Sequence, residues 1–432
     1  MSPTGAPTAA GLSTPAGIAL YVGALLGPSL LLLPGLAARI AGPASLVAWA
    51  LLLVLSGLLA RVFMELGRTL PGADGVVGYT RAGFGPGRLG AGAARVVGWC
   101  FLAGVVLGAP VVCLIGAGYV ADLIGGDPTA TVLLAAVLLA VVVAMALAGR
   151  AVRGGVQLAL VALLAVLVTV AVLGAAPHAR GGNWTPFAPH GWWSVGRAAS
   201  VLMLSFVGWE AISPLVARLR DPGRQLPRVI GSAFAVTAVI YLGLAVVTVG
   251  VLGQRAGTGV PLADLLDVAL GGTGRYLAAA AAVALTLAAT NAYLSGAAEL
   301  AGRLRGAGTG RRGHDVQLAV AGIGLLVLGL VGAGLMTLDA LVAVPTALFV
   351  TVYALCTAAA VRLTTGGTRV LAALACAVVL VILGFSGWAL LAVVAVAGPA
   401  VVAGRASGRH RVPAAPTCAP LTSARRAAPS RR

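Results

Sequence analysis

The sequence predicts an all-α integral membrane protein. Three observations predict this: the composition, the length of the apolar runs and the placement of the arginines. Of 432 residues, 60% are hydrophobic and only 9% are charged, against roughly 25% charged in ordinary soluble domains. A soluble fold could not cover so many apolar side chains with polar surface. The composition therefore excludes a soluble enzyme, and it excludes disorder, which requires low hydrophobicity.

About twelve apolar runs are long enough to cross a bilayer as helices, since a transmembrane helix needs about 20 apolar residues. The last two runs are short and meet near residues 384–387. The predicted spans are numbered 1 to 12 in chain order and cover residues 17–38, 43–64, 95–124, 129–149, 155–175, 195–217, 229–252, 276–300, 316–336, 339–361, 368–385 and 387–404.

The arginines give the predicted orientation. All 29 basic residues are Arg, and they separate the apolar runs, whereas a nucleic-acid binder collects such charge on one face. The loops on the side of both termini hold 23 arginines, the opposite loops hold five, and Arg61 ends span 2 on the Arg-rich side. Because cytoplasmic loops are enriched in basic residues, we expect a multi-pass plasma-membrane protein with both termini cytoplasmic and no nucleic-acid partner. Residues 1–16 are then a cytoplasmic tail, and 405–432 a disordered basic tail that rests on the lipid bilayer.

Two of the spans should be interrupted near their middle. Span 1 contains Gly27-Pro28-Ser29, where proline removes a helical hydrogen bond and clashes with the preceding turn. Span 6 contains the carboxylate of Glu210, with Pro214 one turn later. A carboxylate near the centre of the bilayer is costly and therefore marks a functional position. Spans 1 and 6 are five helices apart, and an odd number of helices per repeat places the second repeat upside down relative to the first. Two interrupted helices at matching positions of such repeats predict a transporter with a midplane substrate site.

The same residues resemble those of the amino acid–polyamine–organocation (APC) permeases, the amino-acid transporters of LeuT-like fold. Within that superfamily, the chain is most similar to the bacterial neutral amino-acid (methionine/branched-chain) exporter group. The resemblance extends from about residue 17 to 300. It is carried by Gly27-Pro28-Ser29 with Pro34-Gly35, by 41–45, 65–76 and 79–86, by Phe206-Val207-Gly208-Trp209-Glu210, by 220–228 and by Asn291-Ala292-Tyr293.

This resemblance implies a fold of two inverted five-helix repeats, residues 17–175 and 195–361, followed by two peripheral helices within 368–404. It also implies an amino-acid substrate held between spans 1, 3, 6, 8 and 10. The free N–H groups after the span 1 break suit an α-carboxylate, and the carbonyls freed in span 6 suit an α-ammonium. The substrate-binding candidates are Gly23, Leu26, Gly27, Pro28, Ser29, Leu30, Phe206, Gly208, Trp209, Asn291 and Tyr293.

The chain departs from the family pattern at the span 1 break, where Gly-Ser-Gly or Gly-Thr-Gly is usual. Pro28 has no N–H to donate, so we expect the amide or hydroxyl of Ser29 to serve as the donor. Glu210 matches a gating position of the family, and burial favours the neutral form of a carboxyl group. Two roles stay open for Glu210: a proton-coupled gate, or a permanently protonated residue that bridges the break. Some relatives use a Lys of span 5 as a built-in cation, and this chain has no Lys.

Two alternatives to neutral amino-acid transport stay open. One is a transporter of another small amine or amino-acid-like solute, and the other is a non-transporting membrane sensor. With 11 acidic residues and four scattered histidines, we find no catalytic set, no metal site and no cofactor motif, so an enzyme is not expected. Gly104 and Gly108 fit a helix-packing motif of small residues, and Asp339 is expected to be solvated.

Overall fold

The structure is a computed structural model that describes residues 12–70, 75–149, 154–211, 216, 219–304 and 313–407. Within these ranges the chain is almost entirely helical, and the sole β contact is an isolated bridge between Leu12 and Leu219. The helices are α1 (Thr14–Leu25), α2 (Leu33–Ala41), α3 (Ser45–Thr69), α4 (Gly75–Phe84), α5 (Arg88–Ile124), α6 (Pro128–Leu147), α7 (Gly154–Ala175), α8 (Trp193–Leu202), α9 (Pro222–Val247), α10 (Pro261–Leu270), α11 (Gly272–Leu304), α12 (Gly313–Gly332), α13 (Leu338–Leu363), α14 (Gly366–Gly384) and α15 (Leu390–Ser407).

Nine segments of the described ranges are long and apolar enough to cross a membrane, and two shorter apolar helices, Thr14–Leu25 and Gly387–Val401, accompany them. The all-α membrane class predicted from the sequence is confirmed. The count of twelve spans stays a prediction. The sequence predicts that the disordered tail begins at residue 405, whereas α15 continues to Ser407. The remainder of that tail lies outside the described residues.

Both predicted helix interruptions are present. Span 1 divides into α1 and α2, which are joined by a short 3-10 segment, Pro28–Leu31. Span 6 begins as α8, tightens into a 3-10 segment over Met203–Phe206, and then turns at Gly208 into a second 3-10 segment, Trp209–Ala211. Pro214 lies outside the described residues. Backbone groups are thus freed inside a membrane protein at two points, and they must find partners within the protein.

Two short helices occur where loops were expected. Helix α4 lies in the segment between spans 2 and 3, and α10 lies between spans 7 and 8. Each has 10 residues, too few for the length criterion by which spans were found. Helix α4 packs on α13, where a Cβ added to Gly83 would lie 2.5 Å from the Cβ of Ala359. Helix α10 supplies Asp264 and Asp267, which contact Arg275 of α11 at 3.0 and 3.2 Å.

Contacts between helices occur in pairs: in the second contact of each pair, both helices are replaced by the helices five spans away along the chain. Helix α1 packs on α9, and α8 correspondingly packs on α3. Helix α5 packs on α13, and α11 correspondingly packs on α7. Such paired contacts are what two repeats related by a two-fold axis produce, because every contact between the repeats has a symmetric counterpart. The exact repeat boundaries stay a prediction.

An ion pair joins two elements that are distant in sequence. The guanidinium of Arg39, in α2, contacts the carboxylate of Asp339 at the start of α13. Asp339 was expected to be solvated; it also has an ion-pair partner, because α2 ends beside α13 in the folded chain. Both side chains remain partly exposed, at 49% and 38%, so this pair lies at the protein surface.

Candidate functional site

A cavity lies beside the break in span 1, with a volume of about 70 Å³. One water molecule requires roughly 10–15 Å³ by the same measure, so several atoms of a small solute fit. Its walls come from α1 and the residues after it, from α5, from the stretch between α8 and Gly208, from α11 and from α13. These five segments are predicted spans 1, 3, 6, 8 and 10. We call this the central cavity.

A second cavity of about 230 Å³ adjoins the central cavity, and Glu210 lies in its wall. It also contacts Gln157 of α7 and Gly208. The two cavities share the backbone around Gly27 and Pro28, together with Tyr293. We call this the Glu210 cavity. The broken segment of span 1 therefore lies between the two spaces, and Tyr293 lines both.

The predicted site residues divide into two groups. Those that line at least one of these cavities are Gly23, Leu26, Gly27, Pro28, Ser29, Gly208, Tyr293 and Glu210. The others line neither cavity and are almost fully buried in the protein: Leu30 at 1% exposure, Phe206 at 2%, Trp209 at 0% and Asn291 at 0%. The indole N–H of Trp209, for example, donates to the hydroxyl of Ser56 at 3.0 Å.

The span 1 break leaves one amide for an anionic group. Helix α1 ends at Leu25, and the Gly27 N–H turns back to the Leu25 carbonyl at 3.1 Å. The Leu30 N–H bonds to the Gly27 carbonyl, and Pro28 has no N–H. Among the described residues, Ser29 is thus the first-turn residue whose amide helix geometry leaves without a partner. Its hydroxyl lies 3.4 Å from that of Ser205, which belongs to the other broken span.

The span 6 break is closed by Glu210 and Tyr353. Gly208 has a φ of +143°, a conformation open to glycine. Its N–H donates to Glu210 Oε2 at 2.9 Å and lies 3.1 Å from the hydroxyl of Tyr353. The Tyr353 hydroxyl also accepts from the Trp209 N–H at 3.3 Å and donates to Glu210 Oε2. Glu210 therefore bridges the break directly, which leaves both of its open roles available.

The freed carbonyls are less available than the sequence suggested. The hydroxyl of Tyr241 lies 2.8 Å from the Ser205 carbonyl, and that of Tyr21 lies 3.3 Å from the Trp209 carbonyl. Both carbonyls belong to span 6, where we expected a substrate ammonium to bind. The sequence offered one signal for these tyrosines, which is that a buried tyrosine hydroxyl usually finds a hydrogen-bond partner.

The central cavity is apolar except at a few points. Thr290 of α11 is 1% exposed, and its hydroxyl has no hydrogen-bond partner in the described part of the chain. An unpaired buried hydroxyl costs about 1–3 kcal/mol, which a polar group of a bound solute would offset. The remaining walls include Val207, Ile115 and Phe349. The cavity therefore offers polar groups on Ser29 and Thr290 beside a mainly hydrophobic surface.

The two glycines assigned to helix packing also line the central cavity. Gly104 does pack closely, since an added Cβ would lie 3.0 Å from the ring of Phe349 on α13. Gly104 and Gly108 both contribute to the cavity wall. Their lack of a side chain thus makes room for the space as well as for the neighbouring helix, a role that the sequence motif did not indicate.

A larger, polar cavity of about 680 Å³ lies apart from the helix breaks. Its lining comes from the end of α2, from the connection that precedes α8 and from the residues that follow α9. It includes Arg180 and Arg255. It shares no lining residue with the central cavity or the Glu210 cavity. We therefore place the candidate site at the helix breaks.

Comparison with known proteins identifies the family. A family model described as "Amino acid permease" matches residues 8–305. The chain is 32% identical to the uncharacterized amino acid permease YecA of Bacillus subtilis, over 88% of this chain and 93% of that protein. It is 28% identical to the L-methionine/branched-chain amino acid exporter YjeH of Escherichia coli, with the same two coverages. The chain belongs to the amino acid permease family of the APC superfamily, and it is a multi-pass membrane protein of amino-acid transport.

Proposed function

We propose that this protein is a secondary active transporter of neutral amino acids in the bacterial plasma membrane and that it works by alternating access. The observation that carries the proposal is the central cavity, which lies at the meeting point of both broken helices and has mainly apolar walls. No charged side chain lines this cavity among the described residues. A cationic or anionic amino-acid side chain would be unpaired there, and an unpaired buried charge is strongly disfavoured.

In the proposed complex, the polar groups of the amino acid meet the helix break. The substrate carboxylate accepts hydrogen bonds from the amide and hydroxyl of Ser29, and the hydroxyl of Thr290 pairs with a polar atom of the substrate. The apolar side chain lies against Phe349, in the space left by Gly104 and Gly108. The polar contacts would be the same for every amino acid, so that selectivity would depend on the shape of the apolar wall.

We further propose that Glu210 is a proton-coupled gate. It lines a cavity that shares residues with the central cavity, and its Oε2 holds the Gly208 N–H across the break. A change in protonation would alter the hydrogen bonds that close this segment. The alternative, a permanently protonated Glu210 with a structural role, predicts a transport rate that is insensitive to the substitution Glu210→Gln.

The proposed topology follows the arginine count. Both termini are cytoplasmic, residues 17–175 and 195–361 form the two inverted repeats, and the helices within 368–404 are peripheral. For the direction of transport, we propose export, which the Escherichia coli exporter of L-methionine and branched-chain amino acids supports. A growth test on single amino acids or dipeptides, in a strain that lacks the gene, reports direction: an exporter protects the cell from excess internal amino acid.

The decisive experiment is transport by the purified protein in liposomes. Labelled leucine, isoleucine, valine and methionine are exchanged against the same internal amino acid, and protein-free liposomes give the background. We expect flux above background for at least one of them, with competition by other neutral amino acids and none by arginine or glutamate. Failure with every neutral amino acid would exclude this substrate class. Flux of another small amine would support the alternative solute, and binding without flux would support a sensor.

A further inference from the structure

One tyrosine hydroxyl contacts both broken helices. Tyr241, on α9, places its hydroxyl oxygen 2.7 Å from the carbonyl oxygen of Leu25 and 2.8 Å from that of Ser205. Leu25 is the last residue of α1, and Ser205 lies in the 3-10 segment that follows α8. These are the two points at which predicted spans 1 and 6 leave the regular helix. A residue of a third helix therefore joins the two interruptions.

These carbonyls need a partner from elsewhere in the protein. Water is scarce at membrane depth, and an irregular backbone is tolerated there only if its polar groups are paired inside the protein. The Leu25 carbonyl has one other donor, the Gly27 N–H at 3.1 Å. Tyr241 thus completes the pairing of two carbonyls that the breaks have freed.

The hydroxyl has one proton and two acceptors. A phenol donates a single hydrogen bond, and both distances are within the normal range for an O–H···O contact. The proton can therefore satisfy one carbonyl fully at a time, or both partially. Any movement that draws one broken helix away leaves the proton with the other.

The ring of Tyr241 is buried between α3 and the span 6 break. Tyr241 is fully buried, at 0% exposure. Its ring makes edge-on contacts with Trp49 and Phe206, at centroid distances of 5.3 and 5.4 Å. Trp49 lies on α3, so aromatic side chains of α3 and span 6 enclose the ring, while α9 itself packs along α1.

We propose that Tyr241 is a positioning residue that couples the two helix breaks. Its O–H group changes its hydrogen-bond acceptor between the Leu25 and Ser205 carbonyls as the breaks rearrange. The coupling of the breaks rests on the contacts above. Its role during transport rests on the alternating-access function proposed in the preceding section. Two measurements therefore test it, and only the second depends on transport.

The first measurement is hydrogen–deuterium exchange of the full-length protein in lipid nanodiscs, compared with Tyr241→Phe. This substitution keeps the ring and removes the O–H. We expect exchange to become roughly two- to tenfold faster, the factor that corresponds to one net hydrogen bond. The change should occur in peptides that cover both breaks, around residues 24–32 and 203–211, with the rest of the chain unchanged.

Another tyrosine serves as a matched control, because its hydroxyl contacts one break only. Tyr119, on α5, contacts the Leu31 carbonyl at 2.7 Å. We expect Tyr119→Phe to raise exchange around span 1 alone, with a further change near Leu262, whose N–H it accepts. If Tyr241→Phe affects one break or neither, the coupling is refuted.

The second measurement is amino-acid exchange in liposomes. We expect Tyr241→Phe to lower the maximal rate by roughly two- to tenfold and to leave the substrate dissociation constant nearly unchanged, because the hydroxyl lines neither cavity and acts on the rearrangement. An unchanged maximal rate would refute the role in transport. If no amino acid is transported at all, the proposed function fails, while the exchange experiment still decides the coupling.

A second substitution covers the case in which Tyr241→Phe does not fold. Replacing Tyr241 with 3,5-difluorotyrosine keeps the hydroxyl and makes it a stronger hydrogen-bond donor. We expect slower deuterium exchange at both breaks in that protein. Unchanged or faster exchange at either break would overturn the proposal.

Discussion

Gly208→Ala tests whether the span 6 break needs a glycine. The residue has a φ of +143°, and a non-glycine residue in such a conformation costs about 1–3 kcal/mol. An added Cβ would also lie 2.8 Å from the carbonyl oxygen of Ala24 and 3.2 Å from a methyl group of Leu25. The substitution therefore disfavours the arrangement in which the span 6 break rests against the end of α1. Since 1.4 kcal/mol is a factor of ten in an equilibrium, we expect transport to fall about tenfold or more.

The assay is initial-rate exchange of labelled leucine in liposomes, normalised to the amount of folded protein and accompanied by thermal unfolding in detergent. Gly118→Ala is the matched control, because Gly118 lies inside α5 and an added Cβ would meet nothing within 4 Å. In a helix interior, alanine is favoured over glycine by about 0.5–1 kcal/mol, so the control should transport normally and melt no lower than the native protein. A Gly208→Ala protein with near-native flux would show that span 6 does not require this open turn.

Three further substitutions test the site and its surroundings. Glu210→Gln should leave the yield of folded protein unchanged but flatten the pH dependence of transport, because the amide cannot exchange a proton; an unaltered pH profile would remove the gate role. Gly104→Ala should disfavour methionine relative to valine by about tenfold or more in competition assays, since the added methyl group would lie 3.0 Å from the ring of Phe349 and narrow the cavity; unchanged selectivity would place the substrate side chain elsewhere. Arg39→Gln should lower the free energy of unfolding by less than about 1 kcal/mol, because both members of its ion pair with Asp339 are partly exposed, and a much larger loss on thermal unfolding would contradict that assignment.

The helix interruptions could be predicted because their causes are local. Pro28 removes a hydrogen bond from its own helix, and it does so whatever packs against it. Gly208 and Glu210 lie two residues apart in the sequence and mark the second break, so that signal is local as well. The boundaries of short helices were harder to predict, because α4 and α10 have neither the length nor the uniform apolarity by which a span is recognised. Their positions depend on neighbours such as Ala359, which allows α4 to approach α13 through Gly83.

The walls of the site could be predicted only in part. Residues beside the breaks, such as Gly27 and Ser29, line the central cavity, because the break itself creates the space. Leu30 and Trp209 come from the same segments and are buried away from both cavities. Which side of a short 3-10 segment faces a cavity depends on its rotation, and the sequence of an almost uniformly apolar span carries no periodic signal for that rotation.

By itself, the sequence determined the class of the molecule, the positions of its two helix breaks and its membership of a permease family. These follow from composition, from proline and glycine chemistry and from residues adjacent along the chain. Only the tertiary structure decided which atoms complete the breaks. Tyr241 and Tyr353 lie 36 and 143 residues from the span 6 groups that they pair with. The Thr290 hydroxyl, at the cavity wall, has no hydrogen-bond partner among the residues that the structure describes. Partners of freed backbone groups are set by how helices are rotated and packed against one another, and that is decided when the chain folds.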